Sequence, residues 1–359
     1  MAERIRVGII GTGFGGNVQA PIMRHHPGYE VVAIASVARG NPDDVRARTG
    51  VERVYTDWQE MLAKEKLDLV SITSAPSLHY EMVLEAFRHG YHVLCEKPMA
   101  MATAETKAML AARDHAGRLG VIDFEFRFQP TRLKAKELIS AGALGRILHV
   151  SYTGVRSGSV FAPRRLGWLD QKEQGGGILG ALGSHMFDSL TWWLESPVEA
   201  VAGQLATYIP TAIDDKGQPA PRTADDAFWA IGTLRNGATF TAGVTAPTRH
   251  GAGWRLEIYG TDGTLVMSDD REVMLGIGTA PLAPVDLPTS PAVPPDLPEP
   301  ASRYYTPMVG LLDRVYDAVV RGQASPSLPT FEDGHQVQAV LDAIRRSDAE
   351  GRRVQIPAE

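Results

Sequence analysis

The stretch Ile5–Gly16, which reads IRVGIIGTGFGG, decides the fold of this protein. Its first half is an apolar, β-branched run that predicts a buried strand, and a segment with helical character follows. Gly11, Gly13 and Gly16 have the spacing Gly-x-Gly-x-x-Gly, which combines a tight turn, close approach of a pyrophosphate and close packing of helix on strand. Free N–H groups at the helix N-terminus then bind phosphate. The stretch predicts a dinucleotide site, with Thr12 and Phe14 among its contacts.

Length and composition indicate an ordinary globular protein. The chain has 359 residues, 44% of them hydrophobic and 22% charged, and its formal net charge is -6. This length allows roughly two domains at ~150 residues each. The negative charge argues against a binder of nucleic acid or of anionic membranes. No apolar run reaches the ~18 residues that span a membrane, and the N-terminal residues do not resemble a signal peptide, so we expect a cytoplasmic protein.

The single cysteine, Cys95, excludes an internal disulfide and is consistent with a reducing compartment. It lies in an apolar strand, so we interpret it as a core residue and not as a nucleophile. His25, His26 and His79 are not spaced as a metal site, and one cysteine provides no thiolate cluster. We therefore expect no metal.

Strands and helices alternate along the first part of the chain, which predicts a parallel, doubly wound sheet. We place a Rossmann dinucleotide-binding domain at residues 1–124. Its further strands are expected at 30–36, 51–55, 67–73, 93–95 and 120–124, and its helices at 43–49, 57–64, 80–89 and 103–116. Residues 74–79 form a loop in this prediction, at the carboxyl edge of the sheet.

The end of the second strand carries a signal about the cofactor. An NAD-preferring site usually has an acidic residue there, which holds the ribose hydroxyls. This chain has Ser36, with Arg39 nearby. A serine does not repel a 2′-phosphate and a guanidinium can bind one, so NADP(H) is favoured over NAD(H). The alternative is that Arg39 points into solvent and is neutralised by Asp43 and Asp44.

The stretch Val93–Pro98 reads as a short apolar strand that stops at a charged pair and a proline. Proline cannot donate to a sheet ladder, so Glu96 and Lys97 follow the carboxyl end of the strand. Ligands bind at that edge in open α/β sheets, and a lysine there can handle a proton or hold a substrate. Taken alone, the pair could equally be a surface ion pair.

The second half of the chain predicts a different architecture. Runs at 147–155, 223–234, 238–244, 254–259 and 264–267 read as strands, most of them with apolar and polar residues alternating. Asn236-Gly237 is a typical hairpin turn between two of them. We expect a C-terminal α+β domain at residues 125–359, with a large, mostly antiparallel open sheet. Residues 279–300 are rich in proline and predict a long extended loop.

Several motifs, in order along the whole chain, resemble the Gfo/Idh/MocA family of oxidoreductases, named after glucose–fructose oxidoreductase and inositol dehydrogenase. They are the glycine turn, the loop Thr73…Pro76…His79, Gly90–Pro98, Arg127–Pro130, Gly142–Ile147, Gly175–Gly177 with Gly183–Asp188, Thr330–Gly334 and Ala343–Ser347. The resemblance implies a hydride transfer between NAD(P) and a secondary alcohol or ketone of a sugar, inositol or polyol. It also implies a homodimer or homotetramer that assembles through the open sheet of the second domain.

The same resemblance implies the site residues. Lys97 and His185 would handle the proton, and Glu96, Thr73, Pro76 and His79 would lie on the cofactor side. Relatives often carry an aspartate where this chain has Ala181, so the usual partner of the histidine is missing here, and Asp188 could replace it or could brace the fold. Arg127, Trp168, Arg164 and Arg165 are candidates to line the substrate pocket, together with His185 and Asp188.

Two alternatives stay open. One is a dihydrodiol or keto-sugar reductase of the same family. The other is a nucleotide-binding regulator that kept the fold and lost turnover. Ala181 favours the regulator, whereas the presence of both Lys97 and His185 favours an enzyme.

Overall fold

The computed structural model describes residues 4–36, 41–157 and 165–358. They divide into two compact units. The first contains the described residues up to Phe128 together with Ser290–His335, and the second contains Gln129–Thr289 and the residues from Gln336 onward. Sequence reasoning proposed one boundary, after residue 124. In the structure, a late segment of the chain, Ser290–His335, also packs with the N-terminal residues.

The first unit is built on a six-stranded parallel sheet. Its strands are β1 (Ile5–Ile10), β2 (Tyr29–Ala35), β3 (Arg53–Tyr55), β4 (Leu69–Ile72), β5 (His92–Cys95) and β6 (Gly120–Ile122). Their order is β3-β2-β1-β4-β5-β6, so the direction of winding reverses between β1 and β4. Ligands of doubly wound sheets bind at such a reversal, outside the carboxyl ends of the strands. The predicted Rossmann architecture is confirmed.

Helices cover this sheet and part of the second one. They are α1 (Ala20–His25), α2 (Pro42–Thr49), α3 (Trp58–Lys64), α4 (Pro76–Arg88), α5 (Thr103–Ala116), α6 (Pro130–Ser140), α7 (Ser184–Leu194), α8 (Ala301–Arg321) and α9 (Phe331–Glu350). One prediction was wrong: residues 76–79 are helical and not part of a loop. Pro76 is the first residue of α4, a position for which its fixed φ is suited.

The second unit is built on a nine-stranded mixed sheet and a small two-stranded ribbon. The strands are β7 (Ile147–Ser157), β8 (Val198–Ala206), β9 (Thr211–Ile213), β10 (Pro219–Pro221), β11 (Ala227–Leu234), β12 (Thr239–Thr248), β13 (Gly253–Gly260), β14 (Gly263–Ser268), β15 (Glu272–Ile277), β16 (Ala283–Pro284) and β17 (Val354–Gln355). The order is β16-β15-β14-β13-β7-β12-β11-β8-β17, and the β9–β10 pair forms the ribbon. The pairing of β7 with β12 is parallel and the other pairings recorded for this sheet are antiparallel, as predicted.

The two faces of the nine-stranded sheet differ. Phe187 of α7 packs on one face, where its ring lies 6.2 Å from Phe228 and 5.9 Å from Phe240, measured between centroids. The other face exposes Trp229 and Ile231, which are 42% and 60% exposed. This is the alternation of a half-covered strand, because neighbouring residues point to opposite faces. Helix α7 therefore packs on the covered face through Phe187.

Among the described helices, none is both long enough and apolar enough to cross a lipid bilayer.

Candidate active site

Three glycines in the turn after β1 have different structural roles. Gly11 has a φ of +119°, and a Cβ placed on it would lie 2.8 Å from the Thr73 carbonyl oxygen, so only glycine fits there. A Cβ on Gly16 would lie 3.2 Å from Thr49 of α2, which shows close packing. A Cβ on Gly13 would meet nothing within 4 Å. The turn therefore presents open backbone at its middle glycine, as a bound pyrophosphate requires.

A wide π-helical turn, Gly15–Gln19, connects the glycines to α1. Phe14 precedes this turn, and no side chain caps the turn. An uncapped helical N-terminus that follows a glycine turn is suited to bind an anion with its N–H groups. The residues here fit a dinucleotide phosphate.

Two residues that sequence reasoning missed support this turn. Arg48 of α2 donates from Nη1 to the Thr12 carbonyl oxygen at 3.0 Å and also to the Asn17 side chain. Tyr304 of α8 packs edge-on against Phe14, with 5.2 Å between ring centroids. The sequence does not predict these two contacts, because each residue reaches the turn only when its helix packs against it.

Ser36 lies at the end of β2 and is buried, and its N–H donates to the Tyr55 carbonyl oxygen at 2.9 Å. The carboxylate that usually binds the ribose hydroxyls is absent from this position. Asp43 accepts a hydrogen bond from Arg46 of the same helix. Arg39 itself lies outside the described residues.

Thr73 and His79 tie together the loops at the carboxyl edge. Thr73 follows β4 and donates from Oγ1 to the Ile10 carbonyl oxygen at 3.0 Å, which joins the β4 and β1 ends. His79 is fully buried in α4, with Nδ1 3.1 Å from the Pro98 carbonyl oxygen and Nε2 3.0 Å from that of Ser74. Burial lowers the pKa of His79 to about 4, so the ring is neutral at physiological pH. His79 thus links the loop after β4 to the residue that follows Lys97.

Glu96 and Lys97 follow β5 at this same edge. The Glu96 N–H donates to the Ile72 carbonyl oxygen at 2.9 Å, and the Lys97 N–H donates to Glu96 Oε2 at 3.2 Å. Both side chains are half-buried. Burial and the charge of Asp123 raise the pKa of Glu96 well above its usual range, and the positive charge of Lys97 opposes that rise. The lysine therefore lies within electrostatic reach of an acid whose pKa is raised.

Two further polar residues complete the first-unit site. Gln19 Nε2 donates to Asp123 Oδ2 at 2.7 Å and to Glu96 Oε1 at 3.4 Å. Both residues are fully buried. Sequence reasoning missed both, although Asp123 did carry a signal: it directly follows the apolar strand β6, as Glu96 follows β5. Gln19 gave no signal, because a glutamine in a helical segment is usually solvated.

The segment that carries His185 belongs to the second unit. A second wide π-helical turn, Leu179–Gly183, leads into α7, in which His185 is buried. The expected helical geometry between Ala181 and His185 is therefore not that of a regular α-helix. Such wide turns are frequent at functional sites. The Leu179 N–H donates to Asp225 Oδ2 at 2.7 Å, so a protein carboxylate holds the start of the turn.

Asp188 lies in α7 among the polar groups of the second-unit core. It is buried, and its charge contributes to the raised pKa of Tyr152, which burial, more than any charge, brings to about 12. Arg132 lies beside the same tyrosine and binds Asp270 through Nε at 2.8 Å and Nη2 at 3.0 Å. This position favours the structural alternative for Asp188.

The remaining pocket candidates belong to different units or lie outside the described residues. Arg127 is buried and forms an ion pair with Asp333 at 3.0 Å, within the first unit. Trp168 is exposed in the short 3₁₀ turn Trp168–Asp170 of the second unit. Arg165 is exposed and forms an isolated bridge with Ile213, and Arg164 lies outside the described residues.

The first unit thus gathers most of the predicted cofactor-side residues at one edge. The glycine turn follows β1, Thr73 follows β4, and Glu96 and Lys97 follow β5, on both sides of the point where the winding reverses. Within the described residues, no group of three or more His, Cys, Asp or Glu side chains is arranged to hold a metal. Fold and site together define the class of nicotinamide-dinucleotide oxidoreductases with a Rossmann domain.

Comparison with known proteins specifies the family. Residues 5–124 match the model of the Gfo/Idh/MocA oxidoreductase family, NAD-binding Rossmann fold, and residues 136–356 match the model of its C-terminal alpha/beta domain. The chain belongs to this family, as the motifs predicted, and it is a dehydrogenase or reductase.

Relatives match the chain over nearly its whole length. An uncharacterised oxidoreductase of Synechocystis sp. is 31% identical, with 99% of this chain and 97% of that protein covered. Levoglucosan dehydrogenase of Pseudarthrobacter phenanthrenivorans is 28% identical, with 99% of both covered. 1,5-Anhydro-D-fructose reductase of Ensifer adhaerens is 27% identical, with 92% of both covered. A structure of levoglucosan dehydrogenase in complex with NADH and levoglucosan superimposes with a TM-score of 0.87 at 26% identity, over 99% of this chain and 100% of the other.

Proposed function

We propose that this protein transfers a hydride between a nicotinamide dinucleotide and a secondary alcohol or ketone of a sugar, inositol or polyol. A nicotinamide bound at the carboxyl edge supplies the hydride acceptor or donor. Lys97 hydrogen-bonds the substrate oxygen and stabilises its developing charge. His185 takes the hydroxyl proton in oxidation and returns it in reduction. Arg127, Trp168 and Asp188 remain candidate substrate contacts.

The observation that carries this proposal is the position of Lys97. It follows β5 at the carboxyl edge, two strands from β1 and its glycine turn. The segment is held by the Glu96 N–H, which donates to the Ile72 carbonyl oxygen, and by His79, which contacts the Pro98 carbonyl oxygen. A cation at this edge is suited to stabilise a developing alkoxide. The sugar substrates of the named relatives support the substrate class.

The cofactor preference proposed is NADP(H) over NAD(H). Its support is the buried Ser36 at the end of β2, in place of the carboxylate that would repel a 2′-phosphate. Titrating the purified protein with each cofactor, by quenching of its tryptophan fluorescence, gives the two dissociation constants. Tighter binding of NAD(H) would overturn this part of the proposal and leave the hydride transfer untouched.

The central experiment follows nicotinamide absorbance with each oxidised cofactor and a panel of anhydrosugars, pyranosides, inositols and linear polyols. The reverse direction uses reduced cofactor with the corresponding ketones. Turnover of one compound identifies the substrate class. Tight cofactor binding without turnover in either direction would instead support the regulator.

Lys97→Met tests the catalytic assignment. Loss of a charged hydrogen-bond donor at the reacting oxygen should lower kcat by about 10²- to 10⁴-fold, with cofactor affinity changed little. The matched control is Lys107→Met, an exposed lysine of α5, which should behave as the unmodified protein. Normal turnover of Lys97→Met would refute the role of Lys97.

A keto-sugar reductase is the second candidate. Its support is the similarity to 1,5-anhydro-D-fructose reductase along most of the chain. The two candidates share the reacting groups and differ in direction, so the ratio of kcat/KM for ketone reduction and alcohol oxidation at neutral pH separates them. A dihydrodiol substrate belongs in the same panel.

Assembly and location complete the proposal. A homodimer or homotetramer would cover the exposed face of the nine-stranded sheet, on which Trp229, Ile231 and Tyr259 are exposed apolar side chains. Light scattering of the protein and of Trp229→Glu/Ile231→Glu tests this, since two charges on a buried face should separate the subunits. A monomer in both cases would exclude this assembly. The single cysteine supports a cytoplasmic location, which fractionation of the source cells tests.

A further inference from the structure

A buried polar cluster beside Lys97 has no part in the proton transfer described above. We call it the acid-pair cluster, and it consists of Gln19, Ser71, Glu96 and Asp123. Gln19, Ser71 and Asp123 are fully buried. The Ser71 hydroxyl donates to Gln19 Oε1, which orients the amide so that its Nε2 donates to Asp123 at 2.7 Å and to Glu96 at 3.4 Å. Burying two carboxyl groups together is costly, so the arrangement needs a physical explanation.

The two carboxyl groups are close neighbours, because Asp123 Oδ2 and Glu96 Oε1 accept from the same Gln19 amide nitrogen, at 2.7 Å and 3.4 Å. A hydrogen bond between carboxyl groups requires a proton on one of them. Asp123 Oδ1 is buried and receives no N–H or O–H from the described protein groups. Two carboxylates at such a distance cannot both ionise easily, because like charges repel strongly away from water.

The electrostatic environment points the same way. Burial, and after it the charge of Glu125, raises the pKa of Asp123 to about 7. Burial, and after it the charge of Asp123, raises the pKa of Glu96 well above its usual range. Lys97 opposes both rises, and a lysine alone would favour full ionisation. Because the pair titrates as a unit, its first proton is lost more easily than its second.

We propose that Glu96 and Asp123 share one proton in the active protein, and that Asp123 is a positioning residue that keeps this singly charged pair beside Lys97. The inference rests on the proposed role of Lys97 and extends it. Gln19 and Ser71 fix the geometry of the pair. The shared proton stays on the pair during turnover, so no further reactant is needed.

A second negative charge on the pair would change the behaviour of Lys97. Coulomb attraction grows with the charge of the partner, so a doubly ionised pair would bind the ammonium group and compete with the substrate oxygen. The neighbouring Cys95 and His79 add no charge that could take over the effect of the pair on Lys97. The Cys95 thiol is neutral, since burial raises its pKa well above the usual range, and burial also keeps His79 neutral. Glu125 acts on the pair from the adjoining turn, Glu125–Phe128.

Asp123→Asn is the informative substitution. Asparagine has the same shape, its oxygen can accept from Gln19 and its amide can donate to Glu96, so it imitates a permanently protonated Asp123. The pair then carries one charge at most. The kcat/KM of the full chain is measured from about pH 5.5 to about pH 9.5, with the best substrate of the panel. We expect an alkaline limb in the unmodified protein, its absence in Asp123→Asn, and activity within about tenfold at the optimum.

Glu125→Gln is the matched control. It removes a buried carboxylate from the adjoining turn and leaves both members of the pair. Because the charge of Glu125 raises the pKa of Asp123, its loss should move the alkaline limb to lower pH and not abolish it. An alkaline limb that is unchanged in both variants would overturn the proposal, whereas a merely structural role of Asp123 would lower activity equally at every pH.

A second measurement does not depend on turnover. Infrared spectroscopy of the cofactor-free protein at neutral pH detects the carbonyl stretch of a protonated carboxylic acid. The band should be present in the unmodified protein and in Lys97→Met and absent from Asp123→Asn. Its absence from the unmodified protein would overturn the shared proton and leave the proposed function standing. Normal turnover of Lys97→Met with the band intact would refute the role of Lys97, and with it the positioning role of Asp123, but not the shared proton.

Discussion

Each unit contains a glycine-led wide turn that leads into a buried helix, and the two turns differ in how their first N–H groups are used. In the first unit, Gly15–Gln19 follows Gly11 and Gly13 and has no side-chain cap. In the second unit, Leu179–Gly183 follows Gly177, and Asp225 accepts from the Leu179 N–H at 2.7 Å. Both turns are π-helical, but only the second has a side-chain acceptor for its first N–H group.

The first turn has no side-chain acceptor at its start and can bind a ligand there, whereas the second turn already has a carboxylate of the protein as its acceptor. Open N–H groups at a glycine turn attract an anion, since they are otherwise left to water. A carboxylate that already occupies this position repels an anion and fixes the following helix. The first turn is therefore suited to bind phosphate, and the second is suited to hold His185 in place. A glycine-rich sequence is ambiguous between these functions.

The largest effect is expected for Gly11→Val. Its φ of +119° is unfavourable for a β-branched residue, and the new side chain would collide with the Thr73 backbone. We expect a loss of more than about 3 kcal/mol in unfolding free energy, measured by urea denaturation. A stable Gly11→Val protein would show that the first turn is not constrained as described.

Gly13→Val should affect binding and not folding. The Cβ of residue 13 would meet nothing within 4 Å, so the fold has room for a side chain, but a dinucleotide that approaches the backbone does not. We expect an unfolding midpoint close to that of the unmodified protein and a cofactor dissociation constant raised by about tenfold or more, or about 1.4 kcal/mol. Unchanged affinity would place the cofactor elsewhere.

Asp225→Ala should have the opposite pattern. It leaves the Leu179 N–H without its carboxylate, and an unsatisfied buried donor costs about 1–3 kcal/mol. We expect this loss in unfolding free energy, a lower kcat through a less constrained His185, and unchanged cofactor affinity. Asp225→Asn keeps an acceptor oxygen and serves as the control, with a loss below about 1 kcal/mol. Weaker cofactor binding in Asp225→Ala would contradict the division between the two turns.

Motifs in the chain were sufficient to predict the class of fold and the residues at the carboxyl edge of the first sheet. The glycine spacing, the strand alternation and the stop at Pro98 predicted a parallel sheet with Lys97 at its carboxyl end, and the sheet order confirmed the architecture. The start of α4 was misplaced because residues 74–79 were assigned to a loop, although proline is favoured at the first position of a helix. The site assignments stay predictions that the experiments above decide.

Local pattern therefore accounts for the elements and their type, since strand and helix periodicity and turn chemistry act over a few residues. The partners of the site residues come from tertiary packing. Gln19 meets Asp123 across more than a hundred residues, Tyr304 reaches Phe14 from α8, and Asp225 reaches Leu179 from the loop before β11. Such contacts arise when the sheet and its helices assemble, and burial then determines which carboxyl groups keep a proton. No spacing along the chain encodes them, because the energy of a buried charge depends on neighbours that are distant in sequence.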